Sequence, residues 1–164
     1  MTKINWGIIG CGDVTEIKSG PAFNKVPNSS LVAVMRRNAN KAADYAKRHQ
    51  VPKWYNNANE LINDPDVNAI YVATPPAFHE AYTLAAIKAG KPVYVEKPMS
   101  LNFEQAKRMV LAAEEHKVKL VVAIPCGNEP LPVLLCVLQQ PEPFALPVQN
   151  SGSWAFLHKQ VCLL

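Results

Sequence analysis

Glu96-Lys97 stands directly after the short apolar run Val93–Val95, so a carboxylate and an ammonium sit side by side where a buried strand would end. A carboxylate at such a place can hold a hydroxyl. An ammonium can donate to an oxygen and stabilise the negative charge that develops on it. Taken alone, the pair is equally a solvated surface feature. Upstream, Ala73-Thr74-Pro75-Pro76 closes another apolar run, and His79 follows where a helix should start. Thr74 and Pro75 offer backbone and a hydroxyl at a strand end, where ligands of open α/β sheets bind. His79 by itself reads as a structural hydrogen-bonding group as readily as a chemical one.

Residues 7–13 read Gly-Ile-Ile-Gly-Cys-Gly-Asp, at the end of the apolar run Ile4–Ile9. Gly10 and Gly12 fit the first two glycines of G-x-G-x-x-G, while Thr15 takes the third place and implies looser packing of strand against helix. Such a turn lets the backbone approach a pyrophosphate and aims a helix N-terminus at it. Gly10, Cys11, Gly12, Asp13 and Val14 are therefore expected to hold a dinucleotide. The same glycines would also serve an ordinary strand-to-helix turn. Cys11 is expected to act through its backbone, because a nucleophilic thiol would need a base that the sequence does not offer.

At the end of the second strand an acidic residue would accept a ribose 2′-hydroxyl. The chain has Arg36-Arg37-Asn38 instead. Two guanidinium groups suit a 2′-phosphate through bidentate, charge-assisted hydrogen bonds. NADP is thus the expected cofactor and NAD the alternative, and the competing reading is an exposed surface pair. Beside a nicotinamide, Glu96 would hold a ribose hydroxyl. Lys97 would hold the substrate oxygen and stabilise the alkoxide that develops during hydride transfer.

The elements that must position these groups alternate. Strands are expected at Ile4–Ile9, Leu31–Met35, Ala69–Ala73, Val93–Val95 and Leu120–Ile124, since continuous apolar runs suit strands buried on both faces. Helices are expected at Val14–Phe23, from Asn40 (as N-cap) to His49, at Asn59–Asn63 and at Phe78–Ala89, the last closed by Gly90. A further helix starts at Asn102, with Gln105 completing a capping box, and turns Phe103, Ala106, Met109, Val110 and Ala113 to one side. This alternation predicts a doubly wound, mostly parallel α/β sheet.

The chain has 164 residues, 49% of them apolar and 18% charged, with a net charge of +4. That suffices for one domain with a sizeable core. The basic residues are scattered, which excludes a phosphate-tracking nucleic-acid surface. No apolar stretch reaches the length of a membrane span, and the N-terminus enters a strand without a signal-like segment, so a cytoplasmic protein is expected. Four cysteines (11, 126, 136 and 162) show neither metal-ligand nor disulfide spacing. His49, His116 and His158 have no partner constellation and read as surface or tail residues.

The glycine turn, the run Asp64–Pro75, His79, Ala89–Val93 and Glu96-Lys97-Pro98, in this order, resemble the N-terminal domain of the Gfo/Idh/MocA oxidoreductases, relatives of glucose–fructose oxidoreductase and inositol dehydrogenase. The resemblance covers about residues 3–124. It implies an NAD(P)-dependent enzyme acting on sugars, cyclitols or related alcohols and carbonyls, usually as a homo-oligomer. It implies that Gly10 and Gly12 bind the dinucleotide, that Thr74, Pro75 and Glu96 line its nicotinamide half, and that Lys97 is catalytic. His79 and the Arg36-Arg37 pair are counted with the cofactor-binding set. Pro76 stands where many members have Asn, so one polar contact is missing.

Residues 125–164 differ in kind. They hold six of the 14 prolines, three of the four cysteines and only Glu129, Glu142 and Lys159 as charges. An apolar tail without helix or strand is expected there, aggregation-prone at Val133–Leu138. The family's second, sheet-rich domain supplies most of the substrate pocket, and nothing in 125–164 matches it. The family commonly continues with Tyr-Arg where this chain has Pro125. Codons ATA and CCG for Ile124 and Pro125 would read TAC-CGT after a one-base shift, so a frameshifted read of a longer gene is the expectation. Residues 1–124 are then a dinucleotide-binding domain whose chain alone turns over little or not at all. The alternative is a dinucleotide-binding module or sensor without chemistry.

Overall fold

Ile8, Ile9, Ile70, Tyr71, Val72 and Val95 are all fully buried, as continuous apolar runs require when a strand is covered on both faces. In the computed structural model, which describes residues 3–124 and 134–137, they form the central strands β1 (Ile4–Ile9), β4 (Ala69–Val72) and β5 (Val93–Val95). Strands β2 (Ser29–Met35) and β3 (Lys53–Tyr55) extend the sheet on one side, and β6 (Leu120–Ile124) and β7 (Leu134–Val137) on the other. The order is β3-β2-β1-β4-β5-β6-β7. All pairs from β3 to β6 are parallel. The order reverses between β1 and β4, which opens a crevice beyond their carboxyl ends. The doubly wound, mostly parallel sheet is thus as expected.

Two strands are additions. β3 is only three residues long, with exposed Trp54, too short for a hydrophobic period to register. β7 corrects the expectation of a tail without strands: it pairs antiparallel with β6, with Ile124 opposite Leu134. The run Leu134–Val137 is β-favouring and meets the free edge of β6. The remaining expectations for 125–164 lie outside the described residues.

Helices cover both faces. α2 (Ala39–Arg48) packs over a cluster of Ile8, Leu31, Val34, Tyr45 and Tyr71, while α3 (Ala58–Asn63), α4 (His79–Lys88) and α5 (Phe103–Glu115) cover the opposite cluster of Ile9, Ile70, Val72, Val95 and Leu120. α2 is capped by Asn38, not Asn40: Asn38 is extended and its Oδ1 accepts from Lys41 N at 3.0 Å. α5 starts as expected, with Asn102 Oδ1 accepting from Gln105 N at 3.0 Å. Its buried side holds Ala106, Met109 and Ala113, but Phe103 is 47% exposed, because it sits at the first turn, past the edge of the packed layer.

The expected regular helix Val14–Phe23 is replaced by a wide π turn at Thr15–Ser19, a single turn α1 (Gly20–Ala22) and a 3-10 turn at Phe23–Lys25. The Tyr45 hydroxyl donates to Thr15 O at 2.8 Å, and Gly20 N reaches back to the same carbonyl. A side chain entering the backbone ladder widens it in this way. Thr15 itself is buried, its hydroxyl donating to Gly12 O at 2.8 Å.

Candidate dinucleotide site

The glycine turn leaves β1 at Gly10, whose φ of +99° suits glycine alone. A Cβ there would lie 2.8 Å from the carbonyl carbon and oxygen of Ala73. The missing side chain lets the turn press against the end of β4. Gly12 is different: a Cβ there would meet nothing within 4 Å. Its bare backbone looks onto open space, the arrangement a phosphate group needs for close approach.

That space is a crevice of about 440 Å³ lined by Gly10, Cys11, Gly12, Asp13, Met35, Arg36, Arg37, Asn38, Lys41, Ala73, Thr74, Pro75 and Tyr82. Three separate turns meet there, at the ends of β1, β2 and β4. Arg36, Arg37 and Lys41 bring three cations against the single carboxylate of Asp13. Lys41 was not legible as a site residue; only the Asn38 cap, which starts α2 beside the arginines, puts it there. The Thr74 Oγ1 is buried and has no hydrogen-bond partner among the described residues. A bare glycine, a cationic wall and an orphaned hydroxyl fit the phosphates and hydroxyls of a dinucleotide.

Arg36 has a second task. Its Nη1 donates to Cys11 O at 3.0 Å, tying the end of β2 to the glycine turn. The Cys11 thiol is buried, donates weakly to Met35 O, and is pushed up to about 11 chiefly by burial. Its sulfur is engaged with Met35 O, while its carbonyl accepts from Arg36. Arg37 is exposed and lies over the Phe78 ring, 4.8 Å from the centroid.

Eight of the expected site residues therefore line one crevice, and four do not. Val14 is 48% exposed and outside it. His79 is fully buried, with Nε2 at 2.6 Å from Thr74 O and Nδ1 at 2.9 Å from Pro98 O. It stands behind the crevice lining: with both ring nitrogens engaged by main-chain oxygens, it braces the Thr74 turn against the Pro98 turn. Glu96 and Lys97 lie at the end of β5, one strand beyond β4, where Glu96 N donates to Val72 O at 2.9 Å. The glycine turn and the Glu-Lys corner thus share the carboxyl edge, two strand spacings or about 10 Å apart. Glu96 is half-buried and takes hydrogen bonds from the Tyr71 hydroxyl and from Lys97 N. The Lys97 ammonium is exposed and has no ion pair among the described residues.

His49 also departs from expectation. Its ring packs tilted against Tyr45 and reaches Glu16 Oε2 at 2.7 Å, while Arg48 grips the same carboxylate at 2.6 and 2.7 Å. The Arg48 guanidinium, followed by the His49 contact, lowers the Glu16 carboxyl to about 2 against the opposing effect of burial. This latch anchors the π turn that follows the glycines.

Among the described residues no helix is long and apolar enough to cross a membrane. The fold and the crevice define a nucleotide-binding Rossmann domain. The chain belongs to the Gfo/Idh/MocA oxidoreductase family, whose model, described as an oxidoreductase family with an NAD-binding Rossmann fold, matches residues 4–124. An oxidoreductase of Formosa agariphila is 56% identical over 122 residues, covering 74% of this chain and 38% of that protein. A 1,5-anhydro-D-fructose reductase of Ensifer adhaerens is 38% identical, over 70% of this chain and 34% of its own. A 3-ketoreductase of Actinomadura kijaniata, solved in complex with NADP and TDP-benzene, superposes with a TM-score of 0.70 at 29% identity, over 74% of this chain and 37% of its own. The chain spans little more than a third of the length of these relatives.

Proposed function

We propose that residues 1–124 are the NADP(H)-binding part of an oxidoreductase that transfers hydride between nicotinamide and a sugar, cyclitol or related alcohol or carbonyl. The observation that carries this reading is the single crevice in which the bare Gly12 backbone meets Arg36, Arg37 and Lys41. The glycine turn would take the pyrophosphate and the three cations a 2′-phosphate. Thr74 would give its orphaned hydroxyl to the nicotinamide side, and Glu96 would hold a ribose hydroxyl. A bound nicotinamide supplies or accepts the hydride. Lys97, exposed and without an ion pair among the described residues, would donate to the substrate oxygen and stabilise its charge.

The reductases among its relatives support a carbonyl or alcohol substrate. Walls that exclude water and orient that substrate are proposed to lie outside residues 4–124. A second reading is a dinucleotide-binding module without chemistry, favoured by the position of Glu96 and Lys97 outside the crevice lining. The two are separated by titrating the chain with NADPH by fluorescence, and by comparing Lys97→Ala with the unmutated sequence in a protein that carries both this domain and its substrate walls. The enzyme reading expects near-equal NADPH affinity and turnover lower by a hundredfold or more in the variant, on the order of what one positioned proton donor contributes. Unchanged turnover removes Lys97 from the mechanism, and no binding at millimolar NADPH removes the site.

A further inference from the structure

We propose that Tyr71 is a positioning residue whose buried hydroxyl fixes the Glu96 carboxylate at the corner of β5, an inference that rests on the dinucleotide reading of this site. Tyr71 lies in the middle of β4 and is fully buried. A phenol in such a place needs an acceptor for its proton. β4 and β5 run parallel with Tyr71 opposite Tyr94. Glu96 follows Tyr94 by two residues and so returns to the same face of the sheet. Its Oε1 is the acceptor that the Tyr71 hydroxyl finds.

The ring itself has little freedom. Tyr94 stacks on it at 4.9 Å with an interplanar angle of 20°, and Phe23 meets it edge-on at 5.4 Å. Trp6 closes the group, 4.7 Å from Phe23 and 6.5 Å from Tyr94. A hydroxyl on a ring held from two sides is a fixed donor, and a bond from it to a carboxylate is stronger than one between neutral groups. Burial first, and then the Glu96 carboxylate, push the phenol far above its ordinary range, so it keeps its proton throughout the neutral region. Among the described residues the other oxygen, Oε2, takes only the Lys97 N–H, at 3.2 Å. Each oxygen retains a lone pair for a ribose hydroxyl. Tyr71 thus acts through Glu96, without touching the ligand.

The test titrates the full chain with two probes, NADPH and 2′,5′-ADP, the second of which lacks the nicotinamide half. Tyr71→Phe keeps the ring and removes the donor. It is expected to weaken NADPH by about tenfold and 2′,5′-ADP by less than about twofold. Equal losses for both probes make the role merely structural and overturn the proposal, as does an unchanged NADPH affinity. An unmutated chain that binds neither probe removes the dinucleotide reading, and this inference with it. In a Glu96→Ala background, Tyr71→Phe is expected to cost nothing further, and a full additional tenfold loss also overturns it. Should Tyr71→Phe not fold, proton NMR of the unmutated chain decides. A slowly exchanging, downfield hydroxyl signal that disappears in Glu96→Ala is expected, and its absence overturns the proposal.

Discussion

Arg36 donates its guanidinium Nη1 to the carbonyl oxygen of Cys11 at 3.0 Å, so the end of β2 clamps the glycine turn at the end of β1. One arginine of the pair is therefore part of the turn's support, while Arg37 rests on Phe78 from the exposed side. The two are expected to behave differently on substitution. Arg37→Ala should weaken NADPH by about tenfold and leave NADH nearly unchanged, because a partner proposed for the 2′-phosphate is lost while the support of the glycine turn stays in place. Arg36→Ala should weaken both, since the turn loosens too. Fluorescence titration with each coenzyme reads this, and an unmutated chain that prefers NADH would contradict the NADP assignment.

Gly10 and Gly12 should separate folding from binding. Gly10→Ala forces a Cβ to 2.8 Å from the Ala73 carbonyl at a φ of +99°, and is expected to lower stability by about 1–3 kcal/mol. Gly12→Ala meets no neighbour, so its urea midpoint should match the parent while NADPH affinity collapses. Equal midpoints for all three proteins would show the Gly10 turn to be relaxed.

His79→Ala removes a buried ring that engages Thr74 O and Pro98 O. Two carbonyls and a cavity are left without partners, so a loss of about 2–4 kcal/mol is expected in urea unfolding. A midpoint within error of the parent would deny the brace between the two turns.

Glu16 supplies a pH test. Its carboxyl is lowered from the ordinary 4.5 to about 2 by the Arg48 guanidinium first, with His49 adding to it. A depressed folded-state value means stabilisation that is present above the unfolded-state value of 4.5 and lost as pH falls towards 2. The unmutated chain should therefore lose more stability between pH 5 and pH 2 than Glu16→Gln does. Arg48 is exposed, so solvent screening keeps the difference modest. Parallel pH curves for the two proteins would show the latch to be without effect.

The sequence alone determined the central strands and the Rossmann-type α/β arrangement built on them. Ile4–Ile9, Ala69–Val72 and Val93–Val95 are short, continuous apolar runs that suit strands covered on both faces. Gly10 and Gly12, the arginine pair and Glu96-Lys97 were legible because each is a local pattern with its own chemistry. The tertiary structure alone decided how they are held. The Tyr71 hydroxyl finds Glu96 25 residues away, and Arg48 finds Glu16 across 32. Such pairs leave no period or motif, because they exist only once strand register has aligned Tyr71 with Tyr94 and helix α2 has swung Arg48 over the π turn. His79 shows the same division. Its place at the start of α4 was evident, but its turn inward follows from the two carbonyl oxygens that the fold sets against its ring.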